Sequence, residues 1–360
     1  MTTNMLHITT DLPALLTHTL ADTPHEGLFV LADTHTVHCC LPLLAPCLPA
    51  AATDAAIDAA IVIPAGEEHK DVTTLSTVWE ALSQRGATRR SLLLCVGGGV
   101  VTDLGGFAAA TFKRGISYIN IPTTLLAMVD AATGGKTGID HAGLKNEVGA
   151  FHLPLHTMVC PAFLATLPEG ELLSGLGEMC KHVLIAPDSP SSALCELEAL
   201  TTLRDASAIT CDRLSRTVAI KEYYVSRDPT EQSVRRALNF GHTVGHAIES
   251  LLLARGAGVP HGVAVAWGMV AELYLSHVLC GLPLPALRTA SRLLREGFGS
   301  CPVTCKDYDA LYSLMQHDKK NPSPGVIRPA LLADVGSPCL DVTAGKEVLF
   351  EALDFLREGV

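Results

Sequence analysis

The chain has 360 residues, 48% apolar and 18% charged, with 26 basic residues against 37 acidic ones and a net charge of −11. This supplies a substantial apolar core for a globular chain of one large domain or, on length, two. An acidic balance with no basic block excludes nucleic-acid binding through a general charge field, but not an anionic small molecule held by local lysines.

MTTNMLHITTDL at the start lacks a basic segment followed by a long apolar one, so no export signal is read. No run of about 18 uncharged apolar residues predicts a membrane span. Cytoplasmic location without membrane or nucleic-acid partners is therefore expected. The twelve cysteines follow no framework: Cys39-Cys40 are adjacent, Cys301 and Cys305 are spaced Cys-x3-Cys, and CxxC is absent. Reduced, mostly buried thiols are expected.

In chain order, the first half alternates strand and helix. Short apolar runs predict strands at 27–33, 59–64, 91–97 and 117–122, and helical spacing of Leu75, Val78, Trp79 and Leu82 predicts a helix over 72–82. Such alternation implies parallel βαβ units. From about Leu167 the apolar residues recur at three and four. Helices are predicted over 172–185, 194–203, 209–224, 234–253 and 263–282, then a mixed tail over 310–353 with a short strand near Leu331. The fold class expected is α/β, a Rossmann-like N-terminal domain over 1–165 with a mostly helical, metal-binding C-terminal domain over 166–360.

Three features carry chemistry. Gly97, Gly98 and Gly99, then Val100 and Asp103, follow a strand and open a helix. Glycines admit close approach of a pyrophosphate, and the helix start offers N–H groups to it. Glu67 and Lys70 follow a second strand, and Thr123 and Thr124 a third, where ligands of open α/β sheets bind. Next comes a polar set in apolar or Gly-rich surroundings: Arg114, Asp130, Lys136, Lys145, Asn146, Lys181, Lys221, Arg235 and Asn239. Buried charges need partners, and Lys and Arg suit phosphate and carboxylate. Finally, His242 and His246 are four apart, on one face of a helix, with His261 downstream and Glu178 upstream. Two His and one Glu fill three positions of a zinc shell and leave a fourth open.

The motifs GGGVVTDLGGFAAATFKRG, IPTTLLAMVDAATGGKTGID, LKNEVGAF, GLGEMCK and LNFGHTVGHAIE, the last followed by HG, occur in order between about residues 64 and 331. Together they closely resemble the 3-dehydroquinate synthase family of sugar-phosphate cyclases. The resemblance implies NAD bound by the N-terminal domain and Zn2+, with Co2+ as a substitute, in the C-terminal one. It also implies a homodimer, an active site in the interdomain cleft, and conversion of 3-deoxy-D-arabino-heptulosonate 7-phosphate to 3-dehydroquinate and phosphate.

Carried over by motif, Glu178, His242 and His261 look like the metal ligands, and His246 like a substrate-side residue, which corrects the HxxxH pairing. Asp130, Lys136, Asn146, Lys181, Lys221, Arg235 and Asn239 match substrate positions, as does Lys319 in HDKKN. Arg114 matches an arginine reaching the partner subunit's substrate phosphate. Glu67, Lys70, the turn from Gly97 to Asp103, Thr123 and Thr124 match NAD contacts, with Lys145 beside the nicotinamide. The chain departs from the family pattern at Gly177, where alanine is usual, at Glu147, at Gly170, and in a slightly long segment over 254–260.

Two other enzymes share this outline. A cyclase acting on sedoheptulose 7-phosphate needs no carboxylate-binding group, whereas Arg235 and Asn239 favour a carboxylated substrate. A metal-dependent alcohol or glycerol dehydrogenase lacks the phosphate-binding lysines found here.

Overall fold

The computed structural model describes residues 5–48, 59–142, 144–316, 323 and 325–359. Two compact units emerge: Met1–Pro168 with Ala206–Val218, and Glu169–Asp205 with Ala219–Val360.

The first unit is built on six parallel strands, β1 (Met5–Ile8), β2 (Leu28–Asp33), β3 (Ile61–Ile63), β4 (Leu92–Gly97), β5 (Ser117–Pro122) and β8 (His156–Val159). Their order is β1-β8-β5-β4-β2-β3. β4, Leu-Leu-Leu-Cys-Val-Gly, is buried at every position, the pattern of a parallel strand covered on both faces. It pairs with β5 from Leu92↔Ser117 to Gly97↔Pro122 and with β2 from Leu28↔Leu92. The chain runs outward from β4 to β5 on one side and from β2 to β3 on the other, so the order reverses beside β4. Ligands of open sheets bind beyond the carboxyl ends at such a switch. The loops carrying Lys70, Gly98 and Thr123 all leave from that edge.

Helices α1 (Leu12–Asp22), α2 (Val72–Gln84) and α3 (Gly99–Thr111) belong to this unit. Asp11 and Asp71 cap the first two by accepting from Ala14 N and Thr74 N at 3.2 and 2.8 Å. α3 lies close on the sheet because it carries Gly105 and Gly106. A Cβ on Gly105 would fall 2.5 Å from Cys95 Sγ, and one on Gly106 2.5 Å from Thr137 Cγ2. Thr137 belongs to a feature the sequence reading missed, the antiparallel hairpin β6 (Lys136–His141) and β7 (Leu144–Phe151). β1 and β8, four residues each, were also missed.

The second unit is helical: α4 (Glu169–Ile185), α5 (Pro190–Thr201), the later part of α6 (Cys211–Arg227), α7 (His242–Ala254), α8 (His261–Cys280), α9 (Leu284–Phe298), α10 (Tyr308–Gln316) and α11 (Lys346–Glu358). A short hairpin, β9 (Leu331–Asp334) and β10 (Ser337–Cys339), includes the strand expected near Leu331. α8 is long and apolar enough to cross a membrane, yet most of it is buried inside the unit, as in a core helix.

Main chain touches main chain where α8 meets its neighbours. A Cβ on Gly177 of α4 would lie 2.1 Å from Gly262 O, and one on Gly268 of α8 2.0 Å from Gly241 O. The single helix expected over 234–253 is broken. Val234–Asn239 is a 3-10 turn, and Gly241, at φ 81, starts α7 afresh. A left-handed residue there costs glycine little.

Candidate active site

In the first unit, the turn after β4 is held by Thr102 N–H donating to Gly98 O and Thr123 N–H to Gly97 O, both at 3.0 Å. Gly98 is the N-cap of α3 and has no side-chain cap. A Cβ there would sit 2.9 Å from Thr124 Cγ2. Thr124 Oγ1 accepts from Ala127 N at 3.2 Å and so opens the π turn Ala127–Ala131, which carries Asp130. The first turn of α3 thus presents main-chain N–H groups beside small residues, an anion-binding arrangement.

Lys70 is the hub of the nearby charges and is only 3% exposed. Its Nζ donates to Asp103 Oδ2 at 2.7 Å and Asn146 Oδ1 at 2.6 Å, with Glu67 Oε1 at 3.6 Å. Burial alone would depress this ammonium, but Asp103 and Glu67 outweigh it and hold it above the ordinary lysine value. Asn146, at φ 51, is fixed by its own N–H donating to Asp140 Oδ1 at 2.7 Å. It thus bonds Lys70, one of the residues read as nucleotide contacts, while motif matching assigned Asn146 itself to the substrate. Lys136 and Lys145 lie exposed on the hairpin. Arg114 is exposed beyond the end of α3, in a turn with Lys113 at φ 50 and Arg114 at φ 67.

In the second unit, Glu178 of α4 is completely buried. Its Oε2 pairs with Lys181 one turn on. Its Oε1 lies 3.4 Å from His242 Nε2 and 3.4 Å from His261 Nε2. The other nitrogen of each ring is engaged: His242 Nδ1 donates to Phe240 O at 3.1 Å, and His261 Nδ1 meets Glu249 Oε2 at 3.2 Å. With Nδ1 protonated, a neutral imidazole turns its Nε2 lone pair toward the carboxylate oxygen. Three acceptor atoms then face one another, an arrangement that calls for a cation between them. Tetrahedral zinc, with bonds of about 2.0–2.1 Å, spaces its ligand atoms about 3.4 Å apart, so the donor set fits the metal. Burial alone would lower the His261 imidazole, but Glu178 and Glu249 outweigh it and raise it to about 9. The same field that draws a proton here would draw a divalent ion. Ligand atoms of His242, His246 and His261 all lie within 4.8 Å of one another. His246 is one turn further along α7, and its ring centroid is 5.0 Å from that of His242.

A second cluster of this unit surrounds Asp228. Its carboxylate accepts from Gln232 N, Ser233 N and Arg235 N at 2.9, 2.6 and 3.1 Å. Burial would raise this carboxyl, but the three main-chain donors hold it below the usual value. The loop so ordered delivers Arg235, 2% exposed, whose Nη1 donates to Pro229 O at 2.6 Å. Asn239 Nδ2 donates to Glu231 Oε1 at 2.7 Å. Lys221, 5% exposed, lies on α6. The sequence reading missed Asp228, Glu231, Glu249 and Glu272. Lys319 lies outside the described residues.

Two family models match in tandem, 3-dehydroquinate synthase N-terminal over residues 60–174 and 3-dehydroquinate synthase C-terminal over 175–321. A 3-dehydroquinate synthase of Parabacteroides distasonis is 46% identical over 352 residues, 97% of this chain and 96% of its own. Among solved structures, a 2-deoxy-scyllo-inosose synthase complexed with carbaglucose-6-phosphate, NAD+ and Co2+ shares the fold at TM-score 0.82 and 23% identity, covering 99% of this chain and 96% of that one. A 2-epi-5-epi-valiolone synthase from Streptomyces hygroscopicus subsp. jinggangensis, with NAD+ and Zn2+ bound, gives TM-score 0.77 at 28% identity, covering 99% and 98%. The chain belongs to the 3-dehydroquinate synthase family.

Proposed function

We propose that the protein converts 3-deoxy-D-arabino-heptulosonate 7-phosphate to 3-dehydroquinate and phosphate, using NAD catalytically and a divalent metal, as a cytoplasmic homodimer. The observation that carries the metal site is the approach of two imidazole Nε2 atoms to one buried carboxylate oxygen, each at 3.4 Å. The solved relatives with NAD+ and Co2+ or Zn2+ bound support the cofactor pair.

When bound, NAD would take up and return one hydride, and a metal held by Glu178, His242 and His261 would polarise the oxygen at the carbon being oxidised. The chain's own residues do the rest. Lys181 stays on Glu178 Oε2, leaving Oε1 for the metal. Lys136, Lys221 and Arg235 bind phosphate and carboxylate, with Lys319 as a further cation and Arg114 reaching the phosphate in the partner's site. Asp130, Asn146, Asn239 and His246 orient hydroxyls, His246 as a hydrogen-bonding group and not a ligand. The turn from Gly97 to Asp103 cradles the pyrophosphate, with Glu67, Lys70, Thr123, Thr124 and Lys145 along the nucleotide. Once the alcohol carbon is a ketone, the C–H beside it is acidic; that proton is lost and phosphate leaves from the next carbon by β-elimination, and the departing phosphate can itself take the proton.

The deciding assay is phosphate release from heptulosonate phosphate with NAD far below substrate, with and without a chelator, and with sedoheptulose 7-phosphate as the competing substrate. Release that needs NAD but builds no NADH, stops with chelator and prefers the carboxylated sugar is the expected result. Stoichiometric NADH would assign a dehydrogenase; preference for sedoheptulose 7-phosphate would assign a different cyclase.

A further inference from the structure

α8 is apolar along its length, and apart from its histidines Glu272 is its single charged residue. It is completely buried. Its carboxylate spans the start of α7: Oε2 accepts from Gly241 N at 2.6 Å and Oε1 from Val244 N at 3.2 Å. Gly241 offers no side chain to cap the helix, and the first N–H groups of a helix need acceptors. An acid at this end also meets the positive pole of the helix. Gly268, one turn before Glu272, makes the reach short, since its backbone lies directly on Gly241.

One peptide links this cap to the proposed metal site. The N–H of the peptide between Phe240 and Gly241 is held by Glu272. The C=O of the same peptide accepts from His242 Nδ1 at 3.1 Å. A carbonyl only accepts, so the contact puts the proton on Nδ1 and leaves Nε2 for the metal. Gly241 tolerates either sign of φ, so its own chemistry does not stop that peptide from turning over. Turning it would swing the carbonyl away from His242. Glu272 opposes the turn, and hydrogen bonds in series polarise one another toward a more basic Nε2.

We propose that Glu272 is a positioning residue that fixes the tautomer and orientation of His242 through the 240–241 peptide, and so sets metal affinity. The inference rests on the reading of His242 as a ligand. Zn2+ and Co2+ affinities would be measured by chelator competition on metal-stripped and refilled protein, for wild type, Glu272→Gln and Ser276→Ala. Glutamine keeps the volume but offers one acceptor and turns an NH2 toward the second N–H. It is expected to weaken metal binding about 10- to 100-fold, the range for removing an outer-sphere partner. Ser276 is buried on the same helix, bonded to Glu272 O at 2.6 Å and to Leu332 N at 3.0 Å. Its loss should lower thermal stability and leave metal affinity unchanged.

Nitrogen-15 spectra of the zinc-loaded wild type give an independent reading that needs no variant. His242 is expected to carry its proton on Nδ1 and bind through Nε2. Unchanged affinity in folded Glu272→Gln, or wild-type ligation through Nδ1, overturns the inference while leaving the metal site standing. If wild-type His242 binds no metal at all, the site reading falls and this inference with it. Should Glu272→Gln fail to fold, the wild-type spectrum decides.

Discussion

Replacing Gly177 by alanine tests the idea that bare backbone contact sets the metal geometry. The family pattern leads one to expect alanine here, yet this chain has no room for it. The added Cβ would stand 2.1 Å from Gly262 O, 2.5 Å from Gly262 C and 2.7 Å from Gly262 Cα. All three are main-chain atoms, so no rotamer change relieves the clash. Reaching even 3.0 Å requires α4 and α8 to part by about 1 Å. Two effects oppose each other. Alanine gains about 1 kcal/mol of helix propensity over glycine, while overpacking costs typically about 1–3 kcal/mol. The difference runs from about 0 to about 2 kcal/mol against alanine; at its middle, about 1 kcal/mol, Tm falls by roughly 2–4 °C for a domain of this size. Function should suffer more. Glu178 is the next residue on α4 and His261 the one before Gly262, so their 3.4 Å contact opens as the helices part. A misplacement of about 1 Å can cost about 100-fold in rate. Scanning calorimetry, metal content and phosphate-release kinetics read all three effects. A variant with unchanged Tm and full metal and turnover would show that the helices separate freely, refuting the reasoning.

His242→Ala should lose metal and turnover together, because two protein ligands hold zinc poorly; metal analysis beside phosphate release checks it, and full occupancy removes His242 from the shell. Arg114→Ala should raise the substrate KM and spare NAD and metal binding. Hybrid dimers with a Lys181→Ala subunit should recover about half the wild-type activity at most, since only one of two symmetric sites is intact; an unchanged KM or an active monomer defeats the cross-subunit role. Asp307 gives a pH prediction. Its hydrogen bond from Arg255 and the Thr304 N–H bond hold its carboxyl down at about 2, below an unfolded value of about 3.9. Its contribution is therefore complete above about pH 4 and lost as pH falls toward 2. Asp307→Asn should flatten that part of the stability profile and, by leaving one acceptor oxygen where Thr304 N and Arg255 now each have their own, lower Tm at neutral pH. An unaltered acid limb in thermal melts at pH 2 to 5 would count against it.

Much of this was legible in the residues, for reasons that also explain the gaps. β4 and β5 announce themselves because buried parallel strands read as unbroken apolar runs. β7 did not, because Leu144–Phe151 is exposed almost throughout and carries Lys145, Asn146 and Glu147. Its pattern resembles a charged loop, and only pairing with β6 makes it a strand. The histidines were found by spacing, but the break before His242 was not. A glycine inside an apolar helical pattern is ambiguous until its φ is known. The supporting acids were hardest. Glu249 lies inside a recognised motif, yet its bond to His261 crosses between helices. Glu272 leaves one trace, a lone acid in an apolar helix, and that marks burial without naming the partner. Asp228 and Glu231 act on a loop whose course the sequence does not dictate.

α8 has a last consequence, for the protein's life outside its native state. It is apolar along nearly its whole length and mostly buried in the native bundle. In a chain still being made, or one locally opened by heat, that surface has no cover and attracts its own kind. Recovery after denaturation should then depend on dilution: nearly complete where chains are sparse, poor where they are crowded, with aggregation outrunning closure of the bundle. The helix that holds His261 in place is thus also a part of the chain that needs cover before the bundle closes.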